Sequence, residues 1–226
     1  MYREIDGAPA ARKPSQARSR ERVEKVVAGA DALLAEGGLE RFSIPTLAER
    51  LGMSRRSIYL FFPTPYDLLN EVTRRYIARL EDHLAQRLTE LGKPDMTEML
   101  ARMTFAAADF HNRNPVGRLL ILGGAVTDNS YKAQDMNKRH LGSLARNILL
   151  EYGFVMPESP PDVATIAVEM GTACYRHSYG SHGLITDDYK VESAYVMLLY
   201  LNHTLGIDQT VTRDDLRRFL QLPDVR

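Results

Sequence analysis

The sequence predicts an all-α chain: a compact three-helix segment near the N-terminus, then a longer helical body. Apolar residues recur at helical spacing almost throughout. Glycine or proline punctuates that pattern at intervals of one helix length. No alternating β-branched run bounded by hairpin turns occurs.

The first helix rests on the stripe Val23, Val26, Val27, Ala30, Leu33 and Leu34, and Gly37-Gly38 stops it. Ser43 is the expected N-cap of a second helix, Ile44–Leu51, whose first turn tolerates Pro45. Gly52 breaks it. Ser54 begins a third helix to about Phe62, ended by Pro63 and Pro65. Leu69, Val72, Tyr76, Leu80, Leu84, Leu88 and Leu91 mark a long amphipathic helix closed by Gly92 and Pro94.

The body continues the pattern. Met96, Met99, Leu100, Met103, Ala106, Ala107 and Phe110 line one helix face, ended by Asn114-Pro115. Val116–Val126 reads as a short apolar helix and 130–152 as a longer one ended by Gly153. Ser159-Pro160-Pro161 starts a helix over about 161–184, and Asp187 opens the last long one, to about Leu205. A short helix over about 213–221 closes the chain. Ala194–Leu201 is apolar on every side, so it is buried all round. Periodicity leaves two readings open: a central core helix, or a helix shared between its own domain and a second subunit.

The 226 residues carry 29 Lys+Arg against 29 Asp+Glu. With 44% apolar and 26% charged residues the composition is that of a globular protein, which argues against a mostly disordered chain. The single cysteine, Cys174, excludes an intramolecular disulfide and any zinc site built on two cysteines. The longest apolar stretches are about eight residues, such as Ala194–Leu201, and neither a membrane span nor a signal-peptide apolar region is expected. A cytoplasmic protein is expected.

The zero balance hides an asymmetry. Residues 1–65 carry a balance of +3 and residues 66–226 one of −3. Arg12, Lys13, Arg18, Arg20, Arg22 and Lys25 fall close together. This fits an anionic partner at the N-terminal end, and equally a solvated tail leading into a charged first turn.

Two short helices joined by a glycine turn behind a basic segment suggest a helix-turn-helix. Ile44–Leu51 would be the support helix and Ser54–Phe61 the recognition helix, with Ile58 and Phe62 turned inward against Leu47, Ala48 and Leu51. Arg55, Arg56, Ser57, Tyr59 and Leu60 would lie on the exposed face. Arginine bridges guanine O6 and N7 or clamps phosphate, and hydroxyls suit phosphate oxygens. Spacing alone equally allows an ordinary αα-hairpin with a solvated Arg-Arg pair.

Phe42–Leu69 resembles the DNA-binding domain of the TetR family of transcriptional regulators. Leu47-Ala48, Leu51-Gly52-Met53-Ser54, Ile58-Tyr59, Phe62-Pro63 and Leu68-Leu69 carry the resemblance, which extends over about 23–75. It implies an all-α fold: an N-terminal three-helix helix-turn-helix DNA-binding domain, then a helical ligand-binding and dimerisation domain. Residues 1–20 would be a flexible basic tail, 21–65 the DNA-binding domain and 66–226 the remainder. The resemblance implies that Thr46, Ser54 and Tyr59 meet phosphate, while Arg55, Arg56, Ser57 and Leu60 face base edges. It also implies a homodimer joined by a four-helix bundle from about 161–184 and 187–205, which favours the subunit-sharing reading of Ala194–Leu201. Two departures stand out. Many members hold a phosphate with a lysine where this chain has Pro65, and Leu60 replaces a common His or Tyr.

The expected function is therefore a ligand-responsive regulator, a repressor on a palindromic DNA operator, released by a small apolar or aromatic effector. The alternative is a helical interaction or small-molecule-binding module that has lost DNA binding. Met99, Met103 and Phe110 read as core, though methionine also suits an adaptable ligand site. Tyr131, His140, Tyr175, His177 and Tyr179 offer polar handles to a ligand. No metal, cofactor or enzymatic activity is expected. None of the six histidines follows an acidic residue at i−3, so the di-iron Glu-x-x-His template fails. Cys174 and His177, at i,i+3, are an unassisted nucleophile–base candidate, set against a plain core cysteine on an aromatic-rich helix.

Overall fold

The computed structural model describes residues 13–92, 94–123, 128–156 and 160–222, without the side chains of 13–16 and 128–138. Among the described residues every regular element is helical. The chain divides into two compact units, Met1–Val72 and Thr73–Arg226.

The first unit holds α1 (Lys13–Arg41), α2 (Ile44–Leu51), α3 (Arg55–Tyr59) and the start of α4 (Pro65–Leu91). α1 begins inside the segment expected to be a tail, because Gln16-Ala17-Arg18 and its neighbours are good helix formers. Residues 1–12 of that segment lie outside the described residues. The expected stop falls at Gly38, whose φ of 63° only glycine adopts readily. α1 and α2 approach closely at Gly29, where a Cβ would lie 2.9 Å from Leu51 Cδ2 and 3.1 Å from Leu47 Cδ1. Glu36 of α1 accepts both guanidinium arms of Arg50 of α2 at 2.6 Å. Lys25 Nζ donates to the Leu51 carbonyl at 3.1 Å, capping the end of α2. Val26, Ala30, Leu47, Ala48, Ile58 and Phe62 are buried, as their spacing requires.

The second unit holds the rest of α4 with α5 (Met96–Arg113), α6 (Pro115–Leu122), α7 (Asp128–Glu151), α8 (Val163–His182), α9 (Asp187–Leu205) and α10 (Arg213–Phe219). α8 packs on α7 and α9, and α5 packs on α9 and α10. The start expected at Ser159-Pro160-Pro161 falls at Asp162 instead. Its carboxylate accepts the Thr165 amide at 3.1 Å and Thr165 Oγ1 at 2.8 Å, and pairs with Arg146 at 2.7 Å. α8 ends at Gly183, left-handed at φ 72°. Asn112 of α5 clips the following loop from both sides, donating to the Ile185 carbonyl at 2.8 Å and accepting its amide at 2.9 Å. Lys190, in α9, is buried and paired with Asp109 at 2.7 Å and Asp187 at 2.8 Å, which satisfies its charge. No helix among the described residues is long and apolar enough to cross a membrane.

Candidate functional site

In the first unit, Gly52 turns α2 into α3 at φ 62° and ψ 34°. The amides of Gly52 and Met53 fold back onto the Glu49 and Ala48 carbonyls at 3.2 and 3.0 Å. Ser54 caps α3: its Oγ accepts the Ser57 amide at 3.2 Å and lies 2.8 Å from Ser57 Oγ. Ser43 caps α2 likewise, accepting the Thr46 amide at 3.2 Å with the two hydroxyls 2.7 Å apart. Thr46, Ser54 and Ser57, which the family resemblance assigns to DNA, are thus also engaged in the two helix starts. One lone pair or proton on each pair of hydroxyls is left for an outside partner.

Ile58 is fully buried and fixes the roll of α3. With that side inward, Arg55, Arg56 and Tyr59 are exposed and Ser57 is half-buried. Leu60, at the α3 C-cap, is 75% exposed. Between Arg50 and Tyr66 the chain has no carboxylate, so α3 and the turns on either side of it contribute no negative side chain. Among the described residues neither Arg55 nor Arg56 is paired with an acid, whereas Lys25 and Arg50 are engaged within the unit. Such a face suits the anionic backbone and the base edges of a duplex.

The second unit contains a cavity of about 120 Å³ formed by α4, α5, α7, α8 and α9. Met99 and Met103 line it, as do Leu84, Leu144, Ile148, Met197 and Leu201. Among the described residues that line it, none is an Asp, Glu, Lys or Arg. Its few hydroxyls already donate elsewhere. Tyr175 Oη donates to the Thr104 carbonyl at 2.5 Å, Ser193 Oγ to the Gly171 carbonyl at 3.0 Å and Thr172 Oγ1 to the Val168 carbonyl at 2.8 Å. Burial pushes the Tyr175 phenol well above its ordinary value, so it stays protonated. His111 also lines the cavity, 4% exposed, with its Nδ1 unpartnered. Burial, with help from the charge of Arg118, pulls its pKa down to about 4.

The remaining sequence candidates lie elsewhere. Phe110 is buried beside the cavity, its ring 5.7 Å from His83 and edge-on to His111 at 6.1 Å. His140 is exposed, with Nε2 2.5 Å from the Glu81 carboxylate. His177 is exposed and packs on Tyr189 at 5.5 Å. Tyr179 carries the Arg118 guanidinium over its ring at 5.2 Å. The Tyr131 side chain lies outside the described residues. Helical phase explains the sorting. Ala164, Ala167, Val168, Gly171, Thr172 and Tyr175 form one stripe of α8 facing the cavity, and His177, two residues on, points away. His140 likewise precedes the α7 stripe of Leu141, Leu144, Ala145 and Ile148. Sequence reasoning missed His111, which continues the stripe of Met99, Met103 and Ala107 at i+4 steps and was open to being found that way.

Burial and the nearby Glu192 push the Cys174 thiol up, the reverse of what a nucleophile needs. Among the described residues no group of three or more His, Cys, Asp or Glu is placed to hold a metal.

Residues 26–72 match the family model for bacterial regulatory proteins of the tetR family. They are a TetR-family DNA-binding domain. The TetR-type helical fold extends beyond that segment, over most of the chain. A structure of RolR with resorcinol superposes with a TM-score of 0.65 at 20% identity, covering 93% of this chain and all of that one (100%). A TetR-family transcriptional regulator from Streptomyces coelicolor gives 0.64 at 20% identity over 83% and 99% of the two chains. FadR from Bacillus subtilis with stearoyl-CoA gives 0.57 at 14% identity over 78% and 96%. No curated protein matches this chain.

Proposed function

We propose that this TetR-type protein is a ligand-responsive transcriptional repressor. It binds a palindromic operator as a homodimer and leaves it when a small, uncharged apolar or aromatic effector fills the second unit. One observation carries the reading: the chain combines an acid-free arginine face on a helix-turn-helix with an uncharged cavity in its helical body. Arg55, Arg56, Ser57 and Leu60 face the bases, and Thr46, Ser54 and Tyr59 the phosphates. Two such units reach successive major grooves about 34–36 Å apart. Met170 on α8 and Leu199 on α9, 37% and 49% exposed, support a dimer surface on those two helices. Met99 and Met103 touch the effector. Neighbours of similar fold solved with resorcinol and with stearoyl-CoA support a small-molecule ligand for this chain. Effector binding biases the dimer toward a spacing that no longer fits the operator, through α4, which carries residues of both units.

Operator selection from random DNA with the full chain, followed by a screen for small molecules that release it, tests the reading. A palindrome bound with a shallow but measurable salt dependence, and displaced by neutral small molecules, is the expected result. Ligand binding without any DNA affinity would point instead to a module that has lost its operator.

A further inference from the structure

The second unit also has an open groove, apart from the cavity, of about 310 Å³. His83, Arg87 and Glu90, one helix turn apart on α4, form one wall, and Arg102, Asp109 and Arg113 of α5 the other. Phe105 of α5 and Leu220, the α10 C-cap, add apolar lining. The carboxylates around the groove are already held. Arg87 pairs with Glu90 at 3.0 Å, Arg102 with Glu98 at 2.7 Å, and Lys190 with Asp109 at 2.7 Å. Arg113 has no carboxylate partner among the described residues. His83 senses the resulting field. Burial, then the charges of Arg87 and Arg113, hold its imidazole below the ordinary value, and the Ala106 backbone and Asp109 oppose them by less.

We infer that this groove is a second ligand site, for a small monocarboxylate with an apolar ring or chain. The carboxylate pairs with the Arg113 guanidinium, and the apolar body lies against Phe105 and Leu220. The site does not depend on what fills the cavity. Three features fix the class. Sign is the first: a guanidinium offers a carboxylate two parallel N–H donors, and a cationic ligand would meet it as a like charge. Number is the second: one unpaired guanidinium balances one negative charge, and a second charge on the ligand would face Glu90 and Asp109. Hydration is the third. In an open groove the carboxylate keeps water on its outer side, so it escapes the desolvation penalty that an uncharged enclosed cavity imposes.

The experiment titrates the full-length protein with benzoate and with benzyl alcohol at constant ionic strength, following the His83 imidazole by NMR across pH. The charges that face His83 are Arg87 on its own helix and Arg113 and Asp109 on α5. A carboxylate on Arg113 offsets the positive field, so saturating benzoate is expected to raise the His83 titration midpoint, and benzyl alcohol to leave it unchanged. This readout needs no variant. Arg113→Gln is expected to weaken benzoate about fivefold, and Arg20→Gln, in the first unit, to leave it unchanged. A midpoint shift no larger than sodium chloride produces at the same ionic strength would overturn the inference, as would equal weakening by the two variants. Benzyl alcohol binding as tightly as benzoate would overturn the anionic class.

Discussion

Ser193 of α9 donates its hydroxyl to the Gly171 carbonyl of α8 at 3.0 Å, and no room remains between them. A Cβ on Gly171 would lie 2.8 Å from Ser193 Oγ and 2.5 Å from Met197 Sδ. Gly171→Ala is therefore expected to destabilise the protein by about 1–3 kcal/mol through overpacking. Urea unfolding at fixed protein concentration checks it. The substitution should also narrow the cavity that Gly171, Ser193 and Met197 share, weakening neutral ligands.

Gly52 separates conformational strain from steric fit. Its φ is 62°, yet nothing lies within 4 Å of an added Cβ. Gly52→Asn should stay within a few tenths of a kcal/mol of the wild type, because Asn tolerates the left-handed region, while Gly52→Val should cost about 1–2 kcal/mol or more. Equal unfolding midpoints for the two variants would contradict the turn geometry.

On the α3 surface, Arg55→Ala and Arg56→Ala should leave folding unchanged, since both side chains are exposed. Each should cost about 1–3 kcal/mol of operator affinity if its guanidinium reads a base. Affinity measured on the selected operator and on scrambled DNA distinguishes the roles: a uniform loss on both assigns that arginine to phosphate.

His111 makes stability depend on pH with a defined sign. Its folded pKa, about 4, lies below the ordinary 6.5, so the unfolded chain takes up the proton first as pH falls. Its share of stability is whole above pH 6.5 and is lost on acidification toward 4, by about 3 kcal/mol in total. His111→Leu should flatten that part of the wild-type stability profile between pH 7 and 4, whatever the carboxylates elsewhere contribute.

Leu199 tests the dimer. It is 49% exposed on α9, while Leu198 and Leu201 on the same helix are buried. Leu199→Asp is expected to shift the sedimentation profile from dimer to monomer while leaving the helical circular dichroism unchanged.

The sequence by itself determined the helices and the position of the turn. Val26, Ala30, Leu47 and Ile58 fall at spacings that only a helix can bury on one side, and Gly52 sits where a left-handed residue must. It also placed Arg55 and Arg56 outward, because burying Ile58 leaves α3 no other roll. Local periodicity reports which face of each helix is apolar. It does not report which of five apolar faces leave a gap where they meet. That depends on long-range packing, such as Tyr175 against Thr104 and Gly171 against Ser193, which brings together residues far apart in the chain. Hence Met99 and Met103 reach the cavity while Phe110, one position from His111, lies beside it. Hence also His140 and His177, plausible by residue type, are solvent-facing, and the imidazole at the cavity is that of His111.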